Sequence, residues 1–571
     1  MLARGSGLPV PRRRTFAAPL QGFAHSMLPT LRHPCLRWAS TPALGHGQPR
    51  ADFTPRLTAL GVEAGWTTLQ GSGSVVLRPD TTMRDHLILW VNGVRREVRG
   101  GDAFLTLSDY LRGRLGLVGT KIVCAEGDCG ACTVLVADPG DGEGGRFRPI
   151  DSCIRFLFQL DGCHVVSIEG LARDGELSPV QQAMVECHGS QCGFCTPGFV
   201  MTMAGACHAG NAVASAPPDV AGLDWRRELA GNLCRCTGYV AIFEAGRQAA
   251  AAVDWLATRF PAATWAAEGR RLRDESLDLA AESDGIERRV VSPASLAEAV
   301  GLRQRLSEAR VVAGATDLGV LWNKGRLRPQ PWLDISRVAE LRGLEIADTP
   351  GGPVLVAGAL ATWTDFLAAC RTACTEFVPI LEGFGGPQIR HVGTVGGNIV
   401  NGSPIADSLP LLSAMDATLE LASVSGTRTV GINDFFLGYK QLDLRPDELL
   451  LRVRMPLPAA GEILRLTKVS RRRDLDISTF TSAVRIGLAG DRIASAAVAY
   501  GGVAPTVIRL RDTEAFLLGR SFTEETFRLA GDRAVAEIAP LCDVRGSGDY
   551  RRQLARNVLL KLFREQAVVT A

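Results

Sequence analysis

The chain has 571 residues, 46% hydrophobic and 22% charged, so it is long enough for three or four domains and has an ordinary globular composition. Its 63 basic and 60 acidic residues give a net charge of +3, which offers no bulk attraction to nucleic acid or to a membrane surface. No stretch reaches the roughly 18 apolar residues that a membrane span requires. The Cys residues cluster between 124 and 236, which favours metal binding in a reducing, cytoplasmic compartment over secreted disulfides.

Residues 1–82 differ in composition from the rest of the chain. No Asp or Glu precedes Asp52, while Arg recurs among Pro, Gly and Ala. Such a segment cannot bury much apolar surface and is predicted to be disordered. Three interpretations stay open: residues added by an upstream start before Met83, a transit peptide, or a twin-arginine export signal at 13–14. The stretch 17–31 lacks a clean apolar core, which disfavours export.

Residues 83–170 have the pattern of a small mixed sheet. Leu87–Val91 and Arg96–Val98 are strand-like runs, and the Asn-Gly pair between them is a strong hairpin signal. Leu105–Leu115 has a helical pattern. Further strands are predicted at 132–136, 147–157 and 164–170.

A run of closely spaced thiols lies at the centre of this region. Cys124, Cys129 and Cys132 follow a C-x4-C-x2-C spacing, and Cys153 supplies a fourth thiol downstream. This pattern is typical of plant-type [2Fe–2S] ligands, because two bridged irons need four thiolates around one small object. Two glycines in the loop suit backbone that must wrap around a cluster. Zinc, which more often uses two CxxC pairs, and disulfides are the competing interpretations.

Residues 171–260 carry a second set of thiols on predicted helices. A CxxC pair, Cys192 and Cys195, precedes one helix start, and a CxC pair, Cys234 and Cys236, precedes another. The two helix starts would have to face each other to share one metal centre. A CxxC alone is a weak signal, since zinc ribbons and redox motifs share it, but with a CxC directly after a ferredoxin-like loop it is strong. Three further Cys are expected to be small buried residues: Cys163, Cys187 and Cys207.

Two later stretches, beyond an acidic, Ala-rich connector at 261–285, have the composition of a phosphate-binding site. Val312–Gly319 places small residues after a β-type run, so its amides could approach a diphosphate closely, although structural turns use glycine as readily. The stretch 388–398, continuing to Asp407, combines tight-turn glycines with an Asn and an Asp suited to a sugar and its phosphates. No GxGxxG motif stands between a strand and a helix, which argues against the common dinucleotide-binding fold.

These motifs resemble the molybdenum hydroxylase (xanthine oxidase) family. The thiol regions 124–153 and 191–239 are similar to its iron–sulfur region. The stretches 311–319, 388–407, 435–439 and 468–477 look like its flavin domain, and 501–505 with 543–552 look like the domain that follows it. In the family, the residue at the position of Gln191 contacts the pterin of the molybdenum domain, although Gln191 alone could be a polar helix cap.

The resemblance implies a multidomain α+β architecture. It consists of a β-grasp [2Fe–2S] ferredoxin domain, a helical [2Fe–2S] domain, a two-part α+β FAD-binding domain of the molybdenum hydroxylase flavoprotein type, and an α+β C-terminal domain. The expected boundaries are an N-terminal extension at 1–82, the ferredoxin domain at 83–170, the helical domain at 171–260, a linker at 261–285, the FAD-binding domain at 286–458 and the C-terminal domain at 459–571.

The resemblance also implies two [2Fe–2S] clusters and one FAD. The implied iron ligands are Cys124, Cys129, Cys132 and Cys153 for one cluster and Cys192, Cys195, Cys234 and Cys236 for the other. The implied FAD-binding residues are Val312, Ala313, Gly314, Ala315, Thr316, Asp317, Leu318, Gly319, Phe384, Thr394, Gly396, Gly397, Asn398, Asp407, Leu450 and Lys468. Without the resemblance, Phe384 and Leu450 could equally be core residues.

The resemblance does not extend to the family's molybdenum domain. Clusters and flavin without that domain are similar to the small subunits of bacterial xanthine-oxidising members, which implies a molybdopterin-binding large subunit as partner, a heterotetramer of two small and two large subunits, and NAD+ as electron acceptor. No acid, base or nucleophile constellation stands out, so no residue is assigned to the hydroxylation step. Relatives acting on aldehydes, other heterocycles or acyl-CoA, and a non-enzymatic redox sensor, stay open as alternatives.

Overall fold

The structure is a computed structural model that describes residues 83–141, 145–210, 223–250, 255–283, 285–328 and 330–570. All of them belong to one unit of the fold, Val62–Ala571. The extension predicted for residues 1–82 therefore lies outside the described residues.

A five-stranded mixed sheet forms the first part. The Asn-Gly hairpin is confirmed, since Asn92 and Gly93 have φ of 51° and 82° and Val91 pairs with Val94. The strand order is β2-β1-β5-β3-β4, in which only β1 and β5 are parallel. The elements are β1 (Leu87–Val91), β2 (Val94–Val98), α1 (Leu107–Gly113), β3 (Thr133–Ala137), β4 (Arg148–Asp151) and β5 (His164–Val166).

A group of helices packs against one face of this sheet. Phe199 and Met203 of this group share a buried core with Trp90 and Leu135 of the sheet. Ser178 begins α3 with a capping box, in which its side chain and that of Gln181 each accept the other's backbone N–H. The helices are α2 (Ile168–Leu171), α3 (Pro179–Glu186), α4 (Thr196–Gly210), α5 (Trp225–Glu228), α6 (Val240–Ala249), α7 (Trp255–Arg259) and α8 (Ala266–Arg273).

A four-stranded sheet follows, ordered β6-β7-β9-β8. Its residues Val312 and Trp332 share a core with Phe156 and Phe158 of the first part, so the two sheets are packed together. The segment expected as a linker, 261–285, carries α8 and β6. The elements are β6 (Leu277–Ser283), β7 (Ile286–Ser292), α9 (Leu296–Arg305), β8 (Arg310–Val312), α10 (Thr316–Asn323) and β9 (Trp332–Asp334).

A second five-stranded sheet, antiparallel in the order β10-β11-β16-β12-β13, supports the next group of helices. The strands are β10 (Leu344–Thr349), β11 (Gly352–Gly358), β12 (Thr418–Ser423), β13 (Gly426–Gly431), the β14 (Phe436–Gly438) and β15 (Gln441–Leu442) pair, and β16 (Leu449–Pro456). The helices are α11 (Trp363–Ala373), α12 (Val378–Glu382), α13 (Pro387–Arg390), α14 (Val395–Asn401), α15 (Leu409–Ala414) and α16 (Ile432–Phe435).

The C-terminal part is a four-stranded antiparallel sheet covered by three helices. Phe480 and Tyr500 of the sheet share a core with Phe527 and Leu559 of the helices. The elements are β17 (Ile463–Val469), β18 (Phe480–Ala489), β19 (Arg492–Gly501), β20 (Ile508–Arg509), α17 (Arg511–Leu517), α18 (Glu524–Ala536) and α19 (Gly548–Thr570). The described chain thus mixes α and β elements, as expected, and none of its helices is both long and apolar enough to cross a bilayer.

Candidate functional site

The four thiols expected in the first sheet region lie together. The Cys124 thiol interacts with those of Cys129 and Cys153, and Cys153 also interacts with Cys132. Cys132 and Cys153 are buried, beside Ile154 and other apolar side chains. The neighbouring thiols lower the pKa of Cys124 and raise the pKa of Cys129 and Cys153. Four thiolates at this spacing repel one another, so full ionisation requires a compensating cation.

The loop that carries these thiols turns its backbone toward sulfur. The N–H groups of Glu126 and Asp128 each lie 3.4 Å from Cys124 Sγ. Ala125, Gly127 and Gly130 have φ of 54°, 73° and 66°, which curls the chain around the thiols. Amides directed at sulfur are a known means of stabilising cluster thiolates.

The four thiols of the second set also lie together, near the starts of two helices. Cys236 Sγ lies 3.7 Å from Cys234 Sγ and 3.7 Å from Cys192 Sγ, while Cys195 interacts with Cys234. Burial raises the pKa of Cys195 to about 12. Burial disfavours the thiolate of Cys234, but hydrogen bonds from Thr237, Cys236 and Cys195 together outweigh burial and lower the pKa of Cys234 to about 6. Cys192 and Cys236 are exposed.

Each thiol set has the four thiols that a [2Fe–2S] cluster uses as ligands. In the described residues, no group of three or more His, Cys, Asp or Glu has the geometry of a site for a single ion. A [2Fe–2S] core divides its four thiolates between two irons, so ligands that form two adjoining pairs suit it. In the first set the contacts run from Cys129 through Cys124 and Cys153 to Cys132, so Cys124 adjoins Cys129 and Cys153 adjoins Cys132.

The other Cys residues are mostly packed in the interior, as expected. Cys163 and Cys207 are buried, whereas Cys187 is half-buried and donates to Gln248 Oε1 at 3.1 Å. No Cys in the described part of the chain forms a disulfide. These three Cys lie outside both four-thiol sets.

The glycine-containing stretch Val312–Gly319 forms the turn between β8 and α10. Ala315 has φ of 60°, and α10 begins at Thr316. A Cβ at Gly314 would lie 2.1 Å from the carbonyl oxygen of Val392, so only glycine allows the two backbones to meet. The first-turn N–H groups of α10 are not used by the helix itself, which makes this turn suitable for an anion such as a diphosphate.

The second predicted flavin stretch, 388–407, lies beside the first. Three of its backbone N–H groups already donate hydrogen bonds within the protein. The N–H groups of Val395 and Gly396 donate to the carbonyls of Ala361 and Ala359, and that of Gly397 donates to Thr394 Oγ1 at 3.1 Å. A Cβ at Gly396 would lie 2.7 Å from Ala359. The glycines of this stretch therefore permit close packing rather than presenting free donors. Asn398 Oδ1 accepts from Ser408 Oγ at 2.6 Å.

Asp407 and Lys468 form a buried ion pair. Lys468 Nζ lies 2.6 Å from Asp407 Oδ2, and the two side chains are 9% and 8% exposed. Ser478 Oγ donates to Asp407 Oδ1 at 2.5 Å, and Lys468 Nζ also donates to the carbonyl of Gly383. Gly383 adjoins Phe384, so the pair and Phe384 lie in one neighbourhood.

Phe384 and Leu450 have clear packing roles. The Phe384 ring lies 5.1 Å from that of Trp363, and Leu450 is 5% exposed in the core beneath the second five-stranded sheet. Neither contact requires a ligand. Their assignment to the flavin site stays a prediction that rests on the family resemblance.

The first thiol set lies directly against α10, the helix that begins in the flavin-type turn (Val312–Gly319). A Cβ at Gly319 would lie 2.3 Å from the carbonyl oxygen of Ile154, the residue after Cys153. Asn323, in α10, donates from Nδ2 to the carbonyls of Cys153 and Ala125 at 2.8 and 2.9 Å. Asn323 was not among the predicted site residues, because a single Asn late in a helix has no distinguishing pattern.

Models of known protein families match three parts of the chain. A [2Fe-2S] binding domain matches residues 167–247. An FAD binding domain in molybdopterin dehydrogenase matches residues 285–458. A CO dehydrogenase flavoprotein C-terminal domain matches residues 465–566.

Individual relatives extend this likeness. Xanthine dehydrogenase 1 of Arabidopsis thaliana is 31% identical, with a match that covers 83% of this chain and 39% of that protein. Aldehyde oxidase 2 of Macaca fascicularis is 29% identical, with coverages of 84% and 39%. A carbon monoxide dehydrogenase structure from Hydrogenophaga pseudoflava is 32% identical over 48% of this chain and 94% of that chain, with a TM-score of 0.45.

The chain spans 39% of the length of the two curated relatives named above. The three matching domain families and the relatives agree on one assignment. The chain belongs to the molybdenum hydroxylase family, as a flavoprotein that carries a [2Fe–2S] domain.

Proposed function

We propose that this chain is the iron–sulfur and FAD subunit of a xanthine dehydrogenase, an NAD+-dependent molybdenum hydroxylase of purine catabolism that converts hypoxanthine to xanthine and xanthine to urate. The observation that carries the proposal is the contact between the first thiol set and α10, the helix that begins in the flavin-type turn, made by Asn323 and Gly319. Two thiol sets and a flavin-type turn in one connected unit suit electron transfer rather than substrate oxidation.

The proposed ligands follow the grouping of thiols described above. The sheet-domain set, Cys124, Cys129, Cys132 and Cys153, would hold one [2Fe–2S] cluster, and the helical-domain set, Cys192, Cys195, Cys234 and Cys236, would hold the other. Val312–Gly319, with Asp407 and Lys468, would hold FAD. When bound, these groups allow single electrons from the clusters to be combined into a hydride for NAD+.

The chain's own residues would control the environment of these groups. Backbone N–H groups at Glu126 and Asp128 stabilise negative charge on Cys124. Burial of Cys132 and Cys153 keeps water from that side of the sheet-domain set. Exposure of Cys192 and Cys236 leaves the helical-domain set accessible from the surface, where a partner could approach it.

We propose four domains: the ferredoxin domain at 83–170, the helical domain at 171–260, the FAD-binding domain at 286–458 and the C-terminal domain at 459–571. The molybdopterin-binding large subunit would be a separate chain, in a cytoplasmic heterotetramer of two small and two large subunits. The greater length of the curated relatives supports such a partner, since the match covers 39% of the plant xanthine dehydrogenase.

A second candidate keeps the electron-transfer role and changes the substrate. Aldehyde oxidase 2 matches with 29% identity, against 31% for xanthine dehydrogenase 1, so the likeness hardly separates xanthine from an aldehyde. The substrate pocket would belong to the partner, so residues of this chain do not decide between them.

The test is co-purification of the full chain with its large subunit, followed by measurement of iron, FAD and NADH formation. We expect two clusters and one FAD per chain, and NADH formation with xanthine. NADH formation with aldehydes alone would favour the second candidate. Absence of iron and of a flavin absorbance band after anaerobic purification would contradict the electron-transfer role itself.

A further inference from the structure

Three parts of the chain meet at one buried polar junction between the two thiol sets. Gln388, in α13, is fully buried, and its Nε2 lies within hydrogen-bond distance of three oxygens. These are Asn232 Oδ1 at 2.9 Å, Thr202 Oγ1 at 3.1 Å and Thr133 Oγ1 at 3.2 Å. Thr133 begins β3, Thr202 lies in α4, and Asn232 precedes Cys234 by two residues, so the proposed flavin domain supplies a donor to both iron–sulfur domains.

Glycines bring the backbones at this junction into contact. A Cβ at Gly130 would lie 2.3 Å from Gly231 O, and one at Gly198 would lie 2.1 Å from Gly130 O. A Cβ at Gly231 would lie 1.8 Å from Gln388 Oε1, and one at Gly386 would lie 2.7 Å from Gly231 Cα. The junction therefore has no room for a side chain at any of the four positions, and its parts hold each other in one arrangement.

The junction directly joins the two thiol-bearing segments. Leu233 N–H donates to the carbonyl of Cys129 at 3.0 Å, and Leu233 is the neighbour of Cys234. Asn232 Nδ2 donates to the carbonyl of Gly130 at 3.0 Å. One backbone hydrogen bond thus joins Cys129 of the first set to Leu233, the residue before Cys234 of the second set.

Gln388 contributes a donor, its Nε2, to this junction, while its own Oε1 is buried without a hydrogen-bond partner. Thr202 Oγ1 donates to Asn232 Oδ1 or to the Gly198 carbonyl, and Thr133 Oγ1 donates to the Gly130 carbonyl. Asn232 Nδ2 also lies 3.4 Å from Thr133 Oγ1, but Gln388 Nε2 is nearer to that oxygen, at 3.2 Å, and lies 3.1 Å from Thr202 Oγ1, so it is the donor placed to serve both hydroxyl oxygens. Buried oxygens left without a donor drive local rearrangement, and here the rearrangement would affect the contact between the thiol-bearing segments.

We propose that Gln388 is a positioning residue for electron transfer, through which the flavin domain fixes the separation of the two clusters. The proposal rests on the proposed function, because it requires both clusters to form. Gln388 lies in α13, between the predicted flavin residues Phe384 and Thr394. The same stretch of chain would therefore line the flavin site and hold the two thiol-bearing segments together. When the residues around a site hold its ligands loosely, the rate at that site falls even though every ligand is present.

The test compares three variants of the full chain. Gln388→Met keeps the length of the side chain and removes its donor. Thr202→Val removes a hydroxyl of the same junction from the other side. Gln159→Met is the matched control, because Gln159 is also buried and joins two domains, by a 2.7 Å bond from Nε2 to Ala313 O, without touching either thiol set.

Two readouts are measured at equal iron content. One is the magnetic splitting between the two reduced clusters in low-temperature paramagnetic resonance, which depends on their separation. The other is the rate at which the second cluster is reduced after the first. We expect Gln388→Met and Thr202→Val to change the splitting and to slow the second reduction by about tenfold, and Gln159→Met to leave both as in the wild type.

The outcomes separate this inference from the proposed function. A wild-type chain without iron would remove the proposed function and this inference with it. Wild-type clusters with unchanged splitting and rate in Gln388→Met and Thr202→Val would overturn this inference alone, as would an equal change in Gln159→Met. If Gln388→Met fails to fold, Thr202→Val decides.

Discussion

Asn323 Nδ2 donates to the backbone carbonyl of Cys153 at 2.8 Å, and so connects the helix that follows the flavin-type turn to a predicted cluster ligand. The same amide donates to the carbonyl of Ala125 at 2.9 Å. One side chain therefore joins the loop that carries Cys124 to the segment that carries Cys153. Its position at the last residue of α10 makes it independent of the diphosphate-type turn at the helix start.

Asn323→Leu should loosen the sheet-domain set and leave FAD content unchanged. Loss of two partly exposed hydrogen bonds should cost about 0.5–1.5 kcal/mol each, and the potential of that cluster should shift as its loop gains freedom. A redox titration of the two cluster signals checks this. Lys324→Met is the control, since the Lys324–Glu126 pair is exposed and its loss should be nearly silent. Equal effects of the two variants would contradict the role given to Asn323.

The two thiol sets should be separable by single substitutions. Cys129→Ala should remove one paramagnetic centre and Cys234→Ala the other, because the side chains of each set contact one another and none of the other set. Both variants should retain FAD, and both should lose the proposed transfer from substrate to NAD+, since the two proposed clusters would act in series. Loss of both signals in a chain that still gives a folded circular dichroism spectrum would mean that the eight Cys are grouped differently.

Local patterns in the sequence predicted local structure well. The Asn-Gly pair fixes a hairpin because both residues tolerate positive φ. Pro197 lies in the first turn of α4, where its missing N–H is not needed. Short spacings join Cys124, Cys129 and Cys132, the CxxC pair and the CxC pair, whereas Cys153 and the meeting of CxxC with CxC depend on the fold.

Long-range contacts could not be read from the sequence. Gln388 and Asn232 are 156 positions apart, and their contact depends on how three domains pack. The segment 147–157 was expected to be one strand, but β4 ends at Asp151 because the chain turns to bring Cys153 to the other thiols. The Ala-rich segment 261–285 was expected to be a linker, yet Trp265 and Leu272 are buried in the first core. Packing against distant residues stabilises this segment, and the local sequence pattern does not show that packing.

Breaking the Asp407–Lys468 pair should release FAD and leave both cluster signals. Asp407→Asn leaves Lys468 buried and unpaired, which should destabilise the chain by roughly 3–5 kcal/mol, and it removes a predicted flavin contact. Glu514→Gln is the control, because the Arg509–Glu514 pair is as buried, with side chains 6% and 8% exposed, but belongs to the C-terminal domain. FAD is measured by absorbance per chain. Normal FAD in Asp407→Asn, or equal FAD loss in both variants, would remove Asp407 from the flavin site.

His391 contacts Pro149 of the first sheet, and acid should weaken this contact by favouring protonation of the buried His391 ring. Burial lowers the pKa of His391 to about 3, although its Nδ1 lies 2.9 Å from the Pro149 carbonyl. In the unfolded chain a His takes up its proton near pH 6.5, so the unfolded state binds more protons between pH 6.5 and 3, and stability falls as pH falls through that window. From pH 7.5 to 5.5 this single group should cost about 1.4 kcal/mol.

His391→Phe should remove that part of the pH dependence. The absolute stability of the variant can differ in either direction, because the contact with Pro149 is lost, so the readout is the change in unfolding free energy between pH 7.5 and 5.5. Urea unfolding followed by circular dichroism should give a change about 1.4 kcal/mol smaller in the variant than in the wild type. Because both proteins share every other titrating group, an identical pH dependence in the two would mean that His391 is protonated in the folded chain as readily as in the unfolded one.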